Sequence, residues 1–357
     1  MSSDAFRPCG DFKTAYSRDQ TIFPTSWSRN FCILGIIALS LAPLFADRYV
    51  LSLLIQIGYL GIAALGLNIL VGFTGQISIG HAVFFGFGGF ASCFLCNQIG
   101  LSPMLSVPLA GLMTTAVGLV FGLPAARLKG LYLAIATLAA QFILQDFFGR
   151  AQWFTGGVNG TVAPPISLFG FAFDSDERYL YVVLAYVVLL YVAAANLLRT
   201  RDGRAIVAVR DYYLAAEMMG VNLAKYRTLS FGIASFYAGI GGALYAHYLG
   251  FMSIEGLDIG FSIQFLAMVI IGGLGSIMGS LLGTAFMILL PQAVNAVAKT
   301  LDGSAIDHLL GLHEGLPFLR EMMIGAAIIL FLIFEPDGLA HRWKQIKAYW
   351  KLYPFSY

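Results

Sequence analysis

The sequence predicts an all-α protein that crosses a membrane many times, in roughly eight to ten helices with glycine-broken segments and an inverted repeat. Three observations predict this. The chain is 59% hydrophobic and only 11% charged, where an ordinary soluble domain carries about 25% charged residues. Its mean hydropathy is +0.79. Several stretches near ~20 residues hold few or no charges, the length that spans a ~30 Å hydrocarbon core. A β-barrel would show roughly 10-residue alternating segments, and the sequence has none.

Taken in order, apolar segments lie at about 31–46, 49–71, 82–99, 103–124, 130–148, 179–198, 229–250, 262–290 and 319–335. Residues 1–30 form a polar arm, 31–340 the membrane domain and 341–357 a polar, aromatic tail. The first apolar run starts at Phe31, too late for a signal peptide, so none is expected. Lys and Arg mark the cytoplasmic side. They gather in the arm (Arg7, Lys13, Arg18, Arg29), the turn 125–129, the loop 199–228 and the tail. Both termini are therefore expected in the cytoplasm. The loops 149–178 and 291–318 are poor in basic residues and should face outward.

One conflict points to a break. Single crossings at 229–250 and 262–290 would place 291–318 inside, against its charge. The 262–290 segment is also too long for one span, and Gly272-Gly273-Leu274-Gly275-Ser276 sits within it. Gly72, Gly75 and Ile77 recur at an offset of 200 as Gly272, Gly275 and Ile277. Glycine-interrupted segments at matching places in two halves point to a transport pathway. Its candidate residues are Gly72, Thr74, Gly75, Gln76, Ser78, His81, Gly272, Gly273, Gly275 and Ser276. A helix restarting near Ile79 would aim free N–H groups at a carboxylate. A structural kink satisfied by Thr74, Gln76, Ser78 and His81 is the favoured reading, with direct substrate contact the alternative.

Catalytic motifs are missing. There is no GxxxxGK[ST], no Gly-x-Ser-x-Gly and no His-Glu-x-x-His, so neither an enzyme nor a self-powered pump is expected. No metal site is predicted. Cys93 and Cys96 lie in an apolar run without further ligands and read as core. The net charge of +2 gives no support for nucleic-acid binding. Asp146 is the only acid inside a clear span, which disfavours an ion-coupled secondary transporter.

The loop 199–228 stands out. It holds Arg199, Arg201, Arg204, Arg210, Lys225 and Arg227 around Leu214-Ala215-Ala216-Glu217-Met218-Met219-Gly220. Asp211 can cap a short helix over 212–219, and Gly220 can end it in the left-handed conformation. Leu214 stacks with Met218, and Ala215 with Met219, along one side. Such an exposed stripe fits a groove on a partner or lies on the membrane lipid. Thr155 to Gly160, a glycine-rich stretch, reads as an outer turn.

Gly75-Gln76-Ile77-Ser78-Ile79-Gly80-His81-Ala82 resembles the signature of the branched-chain amino-acid ABC permease family, in its M-type inner-membrane subunit. Residues 127–139, 155–160 and 239–246 resemble it too, and the likeness covers about residues 50–340. Ala215 to Gly220 is similar to the family's coupling segment. The resemblance implies an importer in the bacterial inner membrane, built with a second, different permease, two ATPase subunits and a periplasmic substrate-binding protein. ATP and Mg would bind the ATPase subunits, and this chain would need no cofactor. Asp211, Leu214, Ala215, Ala216, Glu217, Met218 and Gly220 would couple to the ATPase. The implied cargo is a branched-chain or other apolar amino acid, with urea, short amides or aromatic acids as alternatives.

Overall fold

The computed structural model describes residues 26–128, 130–168, 171–301 and 312–352, and its elements are almost all helical. In chain order they are α1 (Ser26–Phe45), α2 (Arg48–Asn68, closing in a π-turn Ile69–Phe73), α3 (His81–Asn97), α4 (Pro103–Ala125) and α5 (Leu131–Arg150). A short α6 (Gln152–Thr155) leads through a loop to α7 (Asp176–Arg199). Then come α8 (Arg201–Asp211), α9 (Tyr213–Met218), α10 (Leu223–Leu249), α11 (Ile259–Gly272), α12 (Ile277–Leu301), α13 (Leu312–Phe334) and α14 (Gly338–Leu352). Six of these are long and apolar enough to cross a membrane, and Arg29–Phe45, His81–Asn97 and Ile259–Gly272 are shorter apolar helices. Met322–Phe334 meets Gly338–Lys347 at a 49° bend. The protein is a multi-pass, all-α membrane protein.

Side-chain contacts sort the helix ends into two groups. At one end Arg210 reaches Gly72, Gln76 reaches the Arg227 carbonyl, Arg227 reaches Ala126, and Gly338 packs on Gly273. This end carries Arg127 and the basic residues of 199–227, and we refer to it as the basic end. At the other end β1 (Thr161–Val162) pairs antiparallel with β2 (Phe251–Met252), Asn97 donates to Val162, and Tyr49 donates to Gln292.

The core is built round α10. Its glycines let neighbouring backbones touch, the usual device where lipid gives helices no hydrophobic drive to associate. A methyl at Gly242 would collide with the Phe85 carbonyl of α3, and Gly239 lies directly against Gly88. Tyr179 and Tyr237 are buried and donate to the carbonyls of Leu244 (2.6 Å) and Leu190 (2.8 Å), tying α7 to α10. Cys93 is a free thiol buried in the core, as the sequence suggests, whereas Cys96 is half-buried at its margin and bonds to Ser106 at 3.2 Å.

Several boundaries differ from expectation. The 262–290 segment is two helices, α11 and α12, separated by a turn at 273–276. The chain reverses there, with Gly279 against Gly272 and Gly283 against Met268. The 199–228 loop is mostly helical, because Thr200 Oγ1 caps α8 by accepting from Gly203 N and Asn222 caps α10 by accepting from Lys225 N. The tail beyond Ala340 continues as α14 to Leu352. Most of the polar arm and part of the 291–318 loop lie outside the described residues.

Gly242→Ala should lower the melting temperature in detergent, at a cost of about 2 kcal/mol for overpacking a backbone contact. An unchanged melting curve would show that α3 and α10 do not approach this closely.

Candidate functional site

The two glycine motifs meet. Asn68, wholly buried near the end of α2, donates from Nδ2 to the Ser276 carbonyl and to Ser280 Oγ, both at 2.8 Å. Its Oδ1 accepts from Gly275 N at 2.9 Å. A methyl at Gly72 would strike both Asn68 Oδ1 and the Gly275 nitrogen. Gly75 (φ 73°), Gly273 (φ 116°) and Gly275 (φ 74°) hold left-handed backbone that other residues rarely adopt. The sequence therefore places glycine where two turns cross at contact distance. Both motifs end helices that run toward the basic end, so the offset of 200 pairs segments of the same direction.

The opposed pair lies elsewhere. After Gly75 the chain is non-helical over 76–80 and restarts as α3 at His81, two residues later than expected. Residues 253–258 descend from the other end before α11 starts at Ile259. These two helix N-termini come side by side. Ala82 N donates to Ser262 Oγ at 3.0 Å, and the His81 and Phe265 rings pack edge to face at 5.5 Å. Both starts lie deep in the bundle, since His81 Nε2 donates to the Ala63 carbonyl of α2 at 2.9 Å. Helices that begin in the middle of the bundle from opposite ends are the arrangement from which discontinuous-helix transporters build their pathways.

One helix braces both starts. Thr137 Oγ1 of α5 accepts from Ile79 N at 3.0 Å. Gln141, one turn further on and wholly buried, accepts from Ser262 Oγ at 3.1 Å and donates to the Leu257 carbonyl at 2.8 Å. Non-helical backbone at membrane depth needs such partners. Of the candidate pathway side chains, Thr74 donates to Ile69 O in the kink and His81 to Ala63 O within α2, whereas Ser78 Oγ and Gln76 Oε1 are buried with no partner among the described residues. Gln76 donates to Arg227 O at 3.1 Å. The free N–H expected near Ile79 is taken by Thr137.

The coupling candidates sit on α8 and α9. Asp211 does not cap α9. It ends α8 and pairs with Arg210 (2.8 Å), while Tyr212 occupies the cap position with no side-chain bond. The neighbouring guanidinium outcompetes the backbone for the carboxylate. Gly220 closes α9 as expected, at φ 84°, with Gly220 N donating to Glu217 O and Val221 N to Ala216 O. Ala216 is buried at 5% exposure and faces the bundle, so it belongs to the anchoring side. Leu214 (50%), Met218 (89%) and Met219 (85%) are bare, and Ala215 and Glu217 are exposed beside them.

Asn68, Thr137, Gln141 and Arg210 carry roles here that sequence reasoning did not assign. The only signal for the first three was a lone polar residue in an apolar run.

A helical bundle with glycine-broken crossings, in which two helices start deep among the others, has the architecture of a membrane permease. The profile described as "Branched-chain amino acid transport system / permease component" matches residues 49–332, and the chain belongs to that family. It is similar to the high-affinity branched-chain amino acid transport system permease protein LivM of Salmonella typhimurium, 28% identical over 302 residues, covering 78% of this chain and 67% of that protein. The Methanocaldococcus jannaschii branched-chain amino acid transport permeases LivM and LivH are 27% and 28% identical, over 70% and 73% of this chain and 73% and 82% of their own lengths. The Escherichia coli inner membrane ABC transporter permease protein YjfF is 26% identical over 85% of this chain and 88% of its own. No solved structure matches.

Asn68→Leu should speed hydrogen exchange at the Gly275 amide and lower stability by about 2 kcal/mol, since it strands buried backbone groups. Unchanged exchange across 273–276 would remove Asn68 from the joint.

Proposed function

We propose that this chain is one permease subunit of an ATP-driven importer for branched-chain or other apolar amino acids in a bacterial inner membrane. A second permease, two ATPase subunits carrying ATP and Mg, and a periplasmic binding protein complete the machine. The basic end faces the cytoplasm, by the bias of Lys and Arg toward that side. The observation that carries this reading is the bare apolar stripe of α9. Leu214, Met218 and Met219 project from the basic end on a short helix closed at Gly220. A helix of this kind docks in a hydrophobic groove on its partner.

Asp211 and Ala216 then hold the knob, while Leu214, Ala215, Glu217 and Met218 touch the ATPase. The junction of α3 and α11 lines the route for cargo. Glycines 72, 75, 272, 273 and 275, with Ser276, form a closure beneath it. Gln76 and Ser78 line the non-helical stretch that joins the two levels.

In a strain carrying the whole system, Glu217→Ala and Gly220→Pro should each cut leucine uptake about tenfold or more at normal expression, the scale of a lost helix end or contact. A cysteine at Leu214 should crosslink to the ATPase subunit. Full uptake with both variants, or no crosslink in any nucleotide state, would remove α9 from the coupling role. Uptake by this chain alone under an ion gradient would favour the secondary-transporter reading instead.

A further inference from the structure

Arg210 lies against both glycine turns at the basic end. Its Nη1 donates to the Gly72 carbonyl at 2.6 Å, and its Nε and Nη2 both bond Asp211 Oδ1 at 2.8 Å. A Cβ at Gly75 would sit 3.1 Å from its Cγ, and one at Gly275 would sit 2.9 Å from its Nη1. One guanidinium thus contacts the turn after α2 and the turn between α11 and α12. Its own backbone lies in α8, three residues before α9 begins.

The Gly72 carbonyl needs this partner. The helix stops at Phe73, and the next amides bond further back, Gly75 N to Val71 O and Gln76 N to Leu70 O. Gly72 O is one of the carbonyls a helix end leaves over, and a cation is its favoured cap. Arg holds the carbonyl and the carboxylate with a rigid planar fork, a fixed geometry that the flexible ammonium of Lys does not impose. The α8–α9 elbow is stiff beside it. Ile206, Val209 and Ala216 are buried against the bundle, and only Tyr212 separates the two helices. A displacement of α9 therefore moves Arg210, and Arg210 holds the crossing of the two glycine turns.

We infer that Arg210 is the positioning residue that transmits movement of the α8–α9 elbow into the Gly72–Gly275 crossing. The inference rests on the proposed docking of α9 on an ATPase, and extends it to the residue that conveys the motion. A plain cap of α2 would matter for folding alone. A transmitter would matter for the ratio between fuel used and cargo moved.

The test uses the complete transporter, with ATPase subunits and binding protein, in proteoliposomes supplied with radiolabelled leucine and ATP. In Arg210→Gln, the ATP hydrolysed per leucine taken up should rise about tenfold, the scale of one lost charge-assisted hydrogen bond. Arg210→Lys, which keeps the charge without the fork, should fall between it and the parent. Hydrogen exchange gives a second readout that does not depend on the cargo. ATP binding should change exchange at 273–276 in the parent and leave it unchanged in Arg210→Gln. A ratio equal to the parent's, whether both rates fall together or neither falls, would reduce Arg210 to a cap. So would an ATP-driven exchange change that persists in the variant. A parent complex with no ATP-dependent response in either readout would instead bring down the coupling reading itself, and this inference with it.

Discussion

One carboxamide holds the basic end together. Asn68 gives its amide protons to Ser276 O and Ser280 Oγ and its oxygen to Gly275 N, joining α2 to the turn before α12. Measured interhelical hydrogen bonds in membranes stabilise by only about 0.6–2 kcal/mol. An unsatisfied backbone group in the same place costs several kcal/mol. The penalty for its loss, more than the gain from its presence, makes Asn68 the joint. Glycine makes it possible, because any Cβ at Gly72 would occupy the space of the carboxamide oxygen.

The same rule shapes the middle of the bundle. Two segments leave helical geometry to approach from opposite ends, and each must find donors and acceptors outside itself. The α5 side chains Thr137 and Gln141 supply them, four residues apart on one face. The outcome is a polar seam buried among aromatic rings, among them Phe85, Phe261 and Phe265. A seam of exchangeable hydrogen bonds can be rearranged at less cost than a close-packed apolar interface, because each bond lost can be replaced by another.

Much of the fold was legible because its signals are long. Apolar runs of membrane length, the Lys and Arg distribution and the overlong 262–290 segment identified the helices and the break at 273–276. Glycine clusters located the crossing, since few other reasons place three glycines within four residues at that depth. The details that failed depend on partners distant in sequence. Asn68 sits in an ordinary apolar run, and only the fold brings Ser276 to it, 208 residues away. Asp211 carried a capping signal, and Arg210 claimed it first. The recurrence of glycines at an offset of 200 carried no direction, because spacing does not encode which end of the bundle a helix enters from.

Helix α5 braces both helix starts, yet it is attached along a narrow stripe. Leu133, Ala134, Thr137, Ala140, Gln141, Leu144 and Phe148 are buried, whereas Leu131, Tyr132, Ile135, Phe142 and Ile143 stay bare on its other side. Whatever presses on that bare side bears on Thr137 and Gln141 with little in between. The thickness and lateral pressure of the surrounding bilayer, or the flank of a neighbouring subunit, thereby becomes a working surface of the protein.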